Sequence, residues 1–86
     1  MLQNLFTGSR KMDIKKIFPR STIGANVDGA CNVYDVNNDI IGWHDIDQDR
    51  FYLRQDYKHA DKAYKALMSY DADIDIAEVI YGDPKV

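Results

Sequence analysis

Cysteine is almost missing from this chain of 86 residues: Cys31 stands alone. One thiol allows no internal disulfide and no cysteine-based zinc site, so the expected setting is reducing and cytoplasmic. No apolar run approaches the roughly 18 residues of a membrane span. Residues 1 to 11 lack the apolar core of a signal peptide, and neither secretion nor membrane insertion is expected. The chain has no low-complexity linker and no internal repeat. Glutamate is as scarce as cysteine, since thirteen of the fourteen acidic residues are aspartate and the other is Glu78. The shorter carboxylate suits turns, caps and strand ends better than helix surfaces.

A catalytic constellation is also lacking. Cys31, His44 and an aspartate supply the residue types of a nucleophile, a base and an orienting group. Nothing local activates Cys31, however, and a lone strand cysteine is usually a small buried hydrophobe. His44 and His59 show none of the short spacings of metal ligands. No catalytic, cofactor-binding or metal-binding residue is therefore assigned, and the chain is expected not to be an enzyme.

What is present is an ordinary globular composition, 45% hydrophobic and 29% charged. A chain this short folds as one domain, residues 1–86, with 1–11 as a flexible N-terminal arm. It buries only about 60 to 65% of the surface its unfolded form exposes, which leaves little room for an enclosed cofactor cavity. The net charge of −3 conceals a segregation. Residues 1 to 20 are basic through Arg10, Lys11, Lys15, Lys16 and Arg20, residues 21 to 56 carry seven aspartates against Arg50 and Arg54, residues 57 to 70 are again basic, and residues 71 to 86 are acidic.

Turn chemistry organises the middle of the chain. Asp28-Gly29 follows the alternation of Ile23, Ala25 and Val27 and precedes a second apolar run from Ala30 to Val36, the pattern of a hairpin closed by a type I′ turn. Asn37-Asn38-Asp39 tolerates left-handed backbone, and Ile40 to His44 returns to β-branched and aromatic residues. Asp45 to Arg50 is polar before Phe51-Tyr52-Leu53. Cys31 and Val33 share one face of the resulting sheet, Tyr34 and Val36 the other, so at least one face needs a cover. Ala60, Ala63, Tyr64, Leu67 and Met68 form the apolar stripe of a helix that provides it, with Asp56 as the candidate N-cap. Before the sheet, Ile14, Ile17 and Phe18 follow the i, i+3, i+4 rule, with Asp13 placed as a cap and Pro19 stopping continuation, which fits one short helical turn or an irregular edge segment.

After the helix, Asp75 and Glu78 resemble a capping box, Ile74 and Val79 a hydrophobic staple, and Gly82 with Pro84 a stop. The competing reading is a strand, because Ile74 and Ile76 alternate with aspartate. The fold expected is α+β: a three- to four-stranded antiparallel β-meander over about residues 22–54, covered by one amphipathic helix at about 57–70 and a short C-terminal helix at about 76–81.

Asp45, Asp47 and Asp49 with Asp56 imitate positions 1, 3, 5 and 12 of a calcium loop, but Arg50 replaces the glycine and Asp56 the longer glutamate. Asp35 to Asp39 and Asp71 to Gly82 are still less complete. Two helices in succession invite a DNA-reading motif, yet the second carries only acid, and phosphate would repel it. The function expected is that of a protein-binding or regulatory module acting through an acidic sheet edge, Asp45, Asp47 and Asp49, and the aromatics Trp43 and Tyr52. The alternative is an acidic nucleic-acid mimic, of the kind phages and mobile elements make, that inhibits a nucleic-acid-binding enzyme or defence complex. An extended Asp45–Asp49 run would space its carboxylates at about twice the phosphate step of one DNA strand. In both readings the partner is another protein, with no direct contact to nucleic acid or membrane.

Overall fold

A computed structural model describes residues 11–78. The N-terminal arm, apart from Lys11, and the last three residues of the expected C-terminal helix lie outside that range. Helix α1 (Ile14–Ile17) is followed by strands β1 (Thr22–Ile23), β2 (Ala30–Tyr34), β3 (Ile40–Asp45) and β4 (Arg50–Arg54), helix α2 (Ala60–Ser69) and strand β5 (Asp73–Ala77). The strands form one sheet in sequence order. Pairing is antiparallel from β1 to β4 and parallel between β4 and β5.

Local chemistry sets the turns. Asp28 and Gly29 both adopt positive φ, 52° and 86°, as a type I′ turn requires. The strand leading into it is short: Thr22–Ile23 pairs with Val33–Tyr34, and only the bridge from Val27 to Ala30 resumes the ladder. At the second turn Asn38 takes φ 71°, and Asp35 Oδ1 accepts the N–H groups of Asn37 and Asp39, each at 2.9 Å. The third turn ends on Asp49 at φ 55°. In α1, Asp13 accepts the N–H of Lys16, as its position before the first apolar residue implies.

The sheet is mixed, which corrects the expected all-antiparallel meander. The expected helix at 76–81 is corrected as well, because Ile76 and Ala77 belong to β5. The alternation Asp73-Ile74-Asp75-Ile76 is a strand pattern, and β4 decides the matter by offering an unpaired edge. Arg50 pairs with Asp73, Phe51 with Ile74, and Leu53 with Ile76. Parallel strands need a crossover, and α2 is that crossover.

Helix α2 begins at Ala60 rather than near residue 57, and Asp56 is not its cap. His59 holds the N-cap position, and Asp56 instead accepts from Arg54 Nε at 2.7 Å. The helix ends in a Schellman motif: Ala72 N–H reaches Leu67 O and Asp71 N–H reaches Met68 O, with Asp71 left-handed at φ 55° where glycine is usual. The expected apolar stripe is only half buried. Ala63 and Leu67 are buried, whereas Tyr64 and Met68 are 46% and 52% exposed.

Leu67 and Ala63 pack with Val33, Ile41, Phe51 and Leu53, and α1 closes one side with Ile14 and Ile17. Gly42 lets β3 and β4 approach, since a Cβ there would collide with the Tyr52 carbonyl and crowd the Phe51 ring. On the outer side of β5 the Ile76 N–H, which the register turns away from β4, is taken by the Asp75 carboxylate at 2.8 Å.

Leu67→Ala should destabilise by about 2 to 5 kcal/mol, the range for a fully buried leucine, while Tyr64→Ala should stay within about 0.5 kcal/mol. Urea midpoints of the two variants test which part of the stripe is core. Gly42→Ala should cost about 1 to 3 kcal/mol through overpacking, read from the same titration.

Candidate functional site

Trp43 and Tyr52 lie directly opposite one another on β3 and β4, with their rings stacked at 4.0 Å and an interplanar angle of 9°. Alternation turns them to the face opposite α2, because their neighbours Phe51 and Leu53 point into the helix-covered core. Both are half-buried rather than exposed. Tyr52 is in turn opposite Asp75, and the next row on the same face runs Asp45, Arg50, Asp73. Arg50 binds Asp73 at 3.2 Å and lies 3.8 Å from Asp75. The Asp73 carboxylate, with a smaller contribution from Tyr52, holds the Arg50 guanidinium in its charged form. An aromatic pair is thus bordered by Asp45, Asp73 and Asp75 and by two arginines, Arg50 and, on the other side of Tyr52 in the same strand, Arg54, which is paired with Asp56. Asp73 and Asp75 are not among the residues the sequence singles out for this face, because the capping-box pattern at Asp75 points to a helix; their alternation with isoleucine is the signal for the strand.

Asp45, Asp47 and Asp49 do not form an extended row. Asp45 is the last residue of β3 and accepts from Gln48 N–H at 3.0 Å, while residues 46–49 turn. Asp47 is exposed. Asp49 reaches inward: Oδ1 lies 3.0 Å from His44 Nε2, and both carboxylate oxygens accept the Met12 N–H at 3.0 and 3.1 Å. One aspartate of the three therefore pins the segment before α1 to the sheet. Among the described residues no group of three or more His, Cys, Asp or Glu side chains converges as a metal site would require.

Cys31 and His44 are opposite one another across β2 and β3, and His44 also contacts Asp49. The three residue types of a nucleophilic triad are adjacent. Cys31 is 7% and His44 8% exposed, and among the described residues neither lines either of the two cavities at α1, although Asp49 lines one of them.

A concavity that the sequence did not reveal lies on the helix side. It encloses about 360 Å³ between the end of α1, the β2–β3 turn and the first half of α2. Ile17, Phe18, Ile41, Ala63 and Ala66 give it an apolar lining, with Arg20, His59 and Lys62 among its polar groups. Tyr57 donates its hydroxyl to Asp35 Oδ2 at 2.7 Å inside it. Burial pulls the Asp35 carboxyl upward. The Tyr57 hydroxyl, the N–H groups of Asp39 and Asn37 and the nearby His59 outweigh it and leave the pKa below the usual carboxylate value. Burial, and then the Asp35 carboxylate, push the Tyr57 phenol well above its ordinary value. No single sequence motif marks this groove, because its walls come from three separate segments.

The two shifts have opposite signs for stability. A depressed Asp35 pKa stabilises the fold above the unfolded value of about 3.9, and that contribution disappears as pH falls through the folded pKa. A raised Tyr57 pKa stabilises below the unfolded value of about 10, and that contribution disappears as pH rises toward the folded pKa. Tyr57→Phe should lower stability at neutral pH by about 1 kcal/mol, the net worth of one hydrogen bond, and should flatten the loss above pH about 10. Asp35→Asn should flatten the loss below pH about 4. Denaturant midpoints across pH 2.5 to 11 measure both.

No protein-family model matches the chain, and neither curated proteins nor solved structures include a significant match to it.

Proposed function

We propose that this chain is a small non-enzymatic binding module of the cytoplasm that docks another protein on the helix-free face of its sheet. The observation that carries the reading is the Trp43–Tyr52 stack bordered by Asp45, Asp73 and Asp75. A rigid aromatic pair offers large contact area at low entropic cost, and surrounding charges select orientation. Asp45, Asp73 and Asp75 outnumber Arg50, and Arg54 on the same face is already paired with Asp56, so the patch is acidic and the partner surface is basic and presents arginine or lysine toward the rings. Among the described residues no helix is long and apolar enough to cross a membrane. The nucleic-acid-mimic reading depended on evenly spaced carboxylates from Asp45 to Asp49, and the turn with its inward Asp49 gives it no support.

Affinity capture from native lysate, comparing the chain with Tyr52→Ala and Asp75→Lys, tests the proposal. A specific partner retained by the unaltered chain should be lost about 30-fold with Tyr52→Ala, as an interface anchor worth about 2 kcal/mol implies. Lys65→Glu, on the exposed side of α2, should leave capture unchanged. Equal retention by all three folded variants overturns the proposal. Displacement of the partner by excess duplex DNA would favour the mimic reading instead.

A further inference from the structure

The groove beside α2 is independent of the aromatic face, and its charge differs from that of the rest of the chain. Asp35 is its one carboxylate among the described residues, and that group is already engaged: Oδ1 accepts two backbone N–H groups and Oδ2 accepts the Tyr57 hydroxyl. Arg20 and Lys62 line the same groove and make no ion pair among the described residues. Arg20 and Lys62 thus stand against one carboxylate, and the apolar-lined concavity carries an excess of positive charge in a chain of net charge −3.

We infer that this groove binds a small amphipathic carboxylate, with an apolar body on Ile17, Phe18 and Ala66 and an anionic head beside Arg20 and Lys62. A volume of about 360 Å³ lies within the range of small-molecule sites, about 300 to 1,000 Å³. The lining supplies the two features such sites combine, an apolar surface and a few polar groups that fix orientation. Asp35 keeps its negative charge, since a neutral phenol does not cancel it, and the cations of Arg20 and Lys62 outnumber it. A cation would meet two positive side chains against that one carboxylate.

Titration of the full chain with 4-phenylbutyrate and with its neutral amide, followed by the backbone N–H resonances, tests the inference. The carboxylate should produce saturable shifts at Val36, Lys62, Ala63 and Ala66, half complete at about 1 mM, the affinity expected of a ligand this small. The amide should bind about twofold to fivefold more weakly, the worth of an exposed charge contact. Arg20→Gln and Lys62→Gln should each reduce carboxylate binding and leave amide binding unchanged, and both sites are exposed enough for the fold to persist. Ala66→Leu, which fills the lining, should abolish binding of both probes. Absence of saturable shifts, shifts centred elsewhere, or equal affinity for carboxylate and amide overturns the inference. None of these outcomes bears on docking at Trp43 and Tyr52.

Discussion

Strand β4 has to satisfy neighbours in four directions. Its two edges are hydrogen-bonded to β3 and β5, Phe51 and Leu53 point into the helix-covered core, and Tyr52 stacks on Trp43 behind it. A five-residue segment with those obligations cannot remain at an edge. The parallel partner it acquires can be reached only by a crossover, and the length of that crossover is what lays α2 over the sheet. The cover for the apolar face and the fifth strand are thus two results of one pairing.

That arrangement sorts the charges. Many of the aspartates hold turns, as Asp35, Asp45 and Asp49 do, or take the outward positions of the last strand, as Asp73 and Asp75 do. Arg20 and Lys62 line the groove. The two faces of the sheet consequently present different chemistry: a carboxylate-bordered aromatic pair on one, and on the other an apolar concavity with positive groups at its lip. A protein of this size gains two dissimilar surfaces without a second domain.

The turns were legible in the sequence because their causes are local. Asp28, Gly29, Asn38 and Asp49 take the left-handed backbone that their residue types tolerate, and Asp13 caps the short helix it precedes. The pairing of Trp43 with Tyr52 follows once the turns between them are placed. What could not be read locally was β5, where a passable helix-start signal competes with the hydrogen bonds of a distant strand, and the distant strand wins. The start of α2 was misread for a related reason, since Asp56 has a better partner in Arg54 two residues away. The inward turn of Asp49 depends on His44 and on Met12, thirty-seven residues earlier, a contact that no spacing rule anticipates.

The Asp75 carboxylate on the Ile76 N–H has a meaning beyond its own strand. Ile76 is 52% exposed, and an outermost strand bearing isoleucine is the natural template for a second copy to zip onto. With that donor occupied from within, an incoming chain must break an existing bond before it makes its own. An edge strand whose outward donor is already satisfied is a weaker template for further pairing.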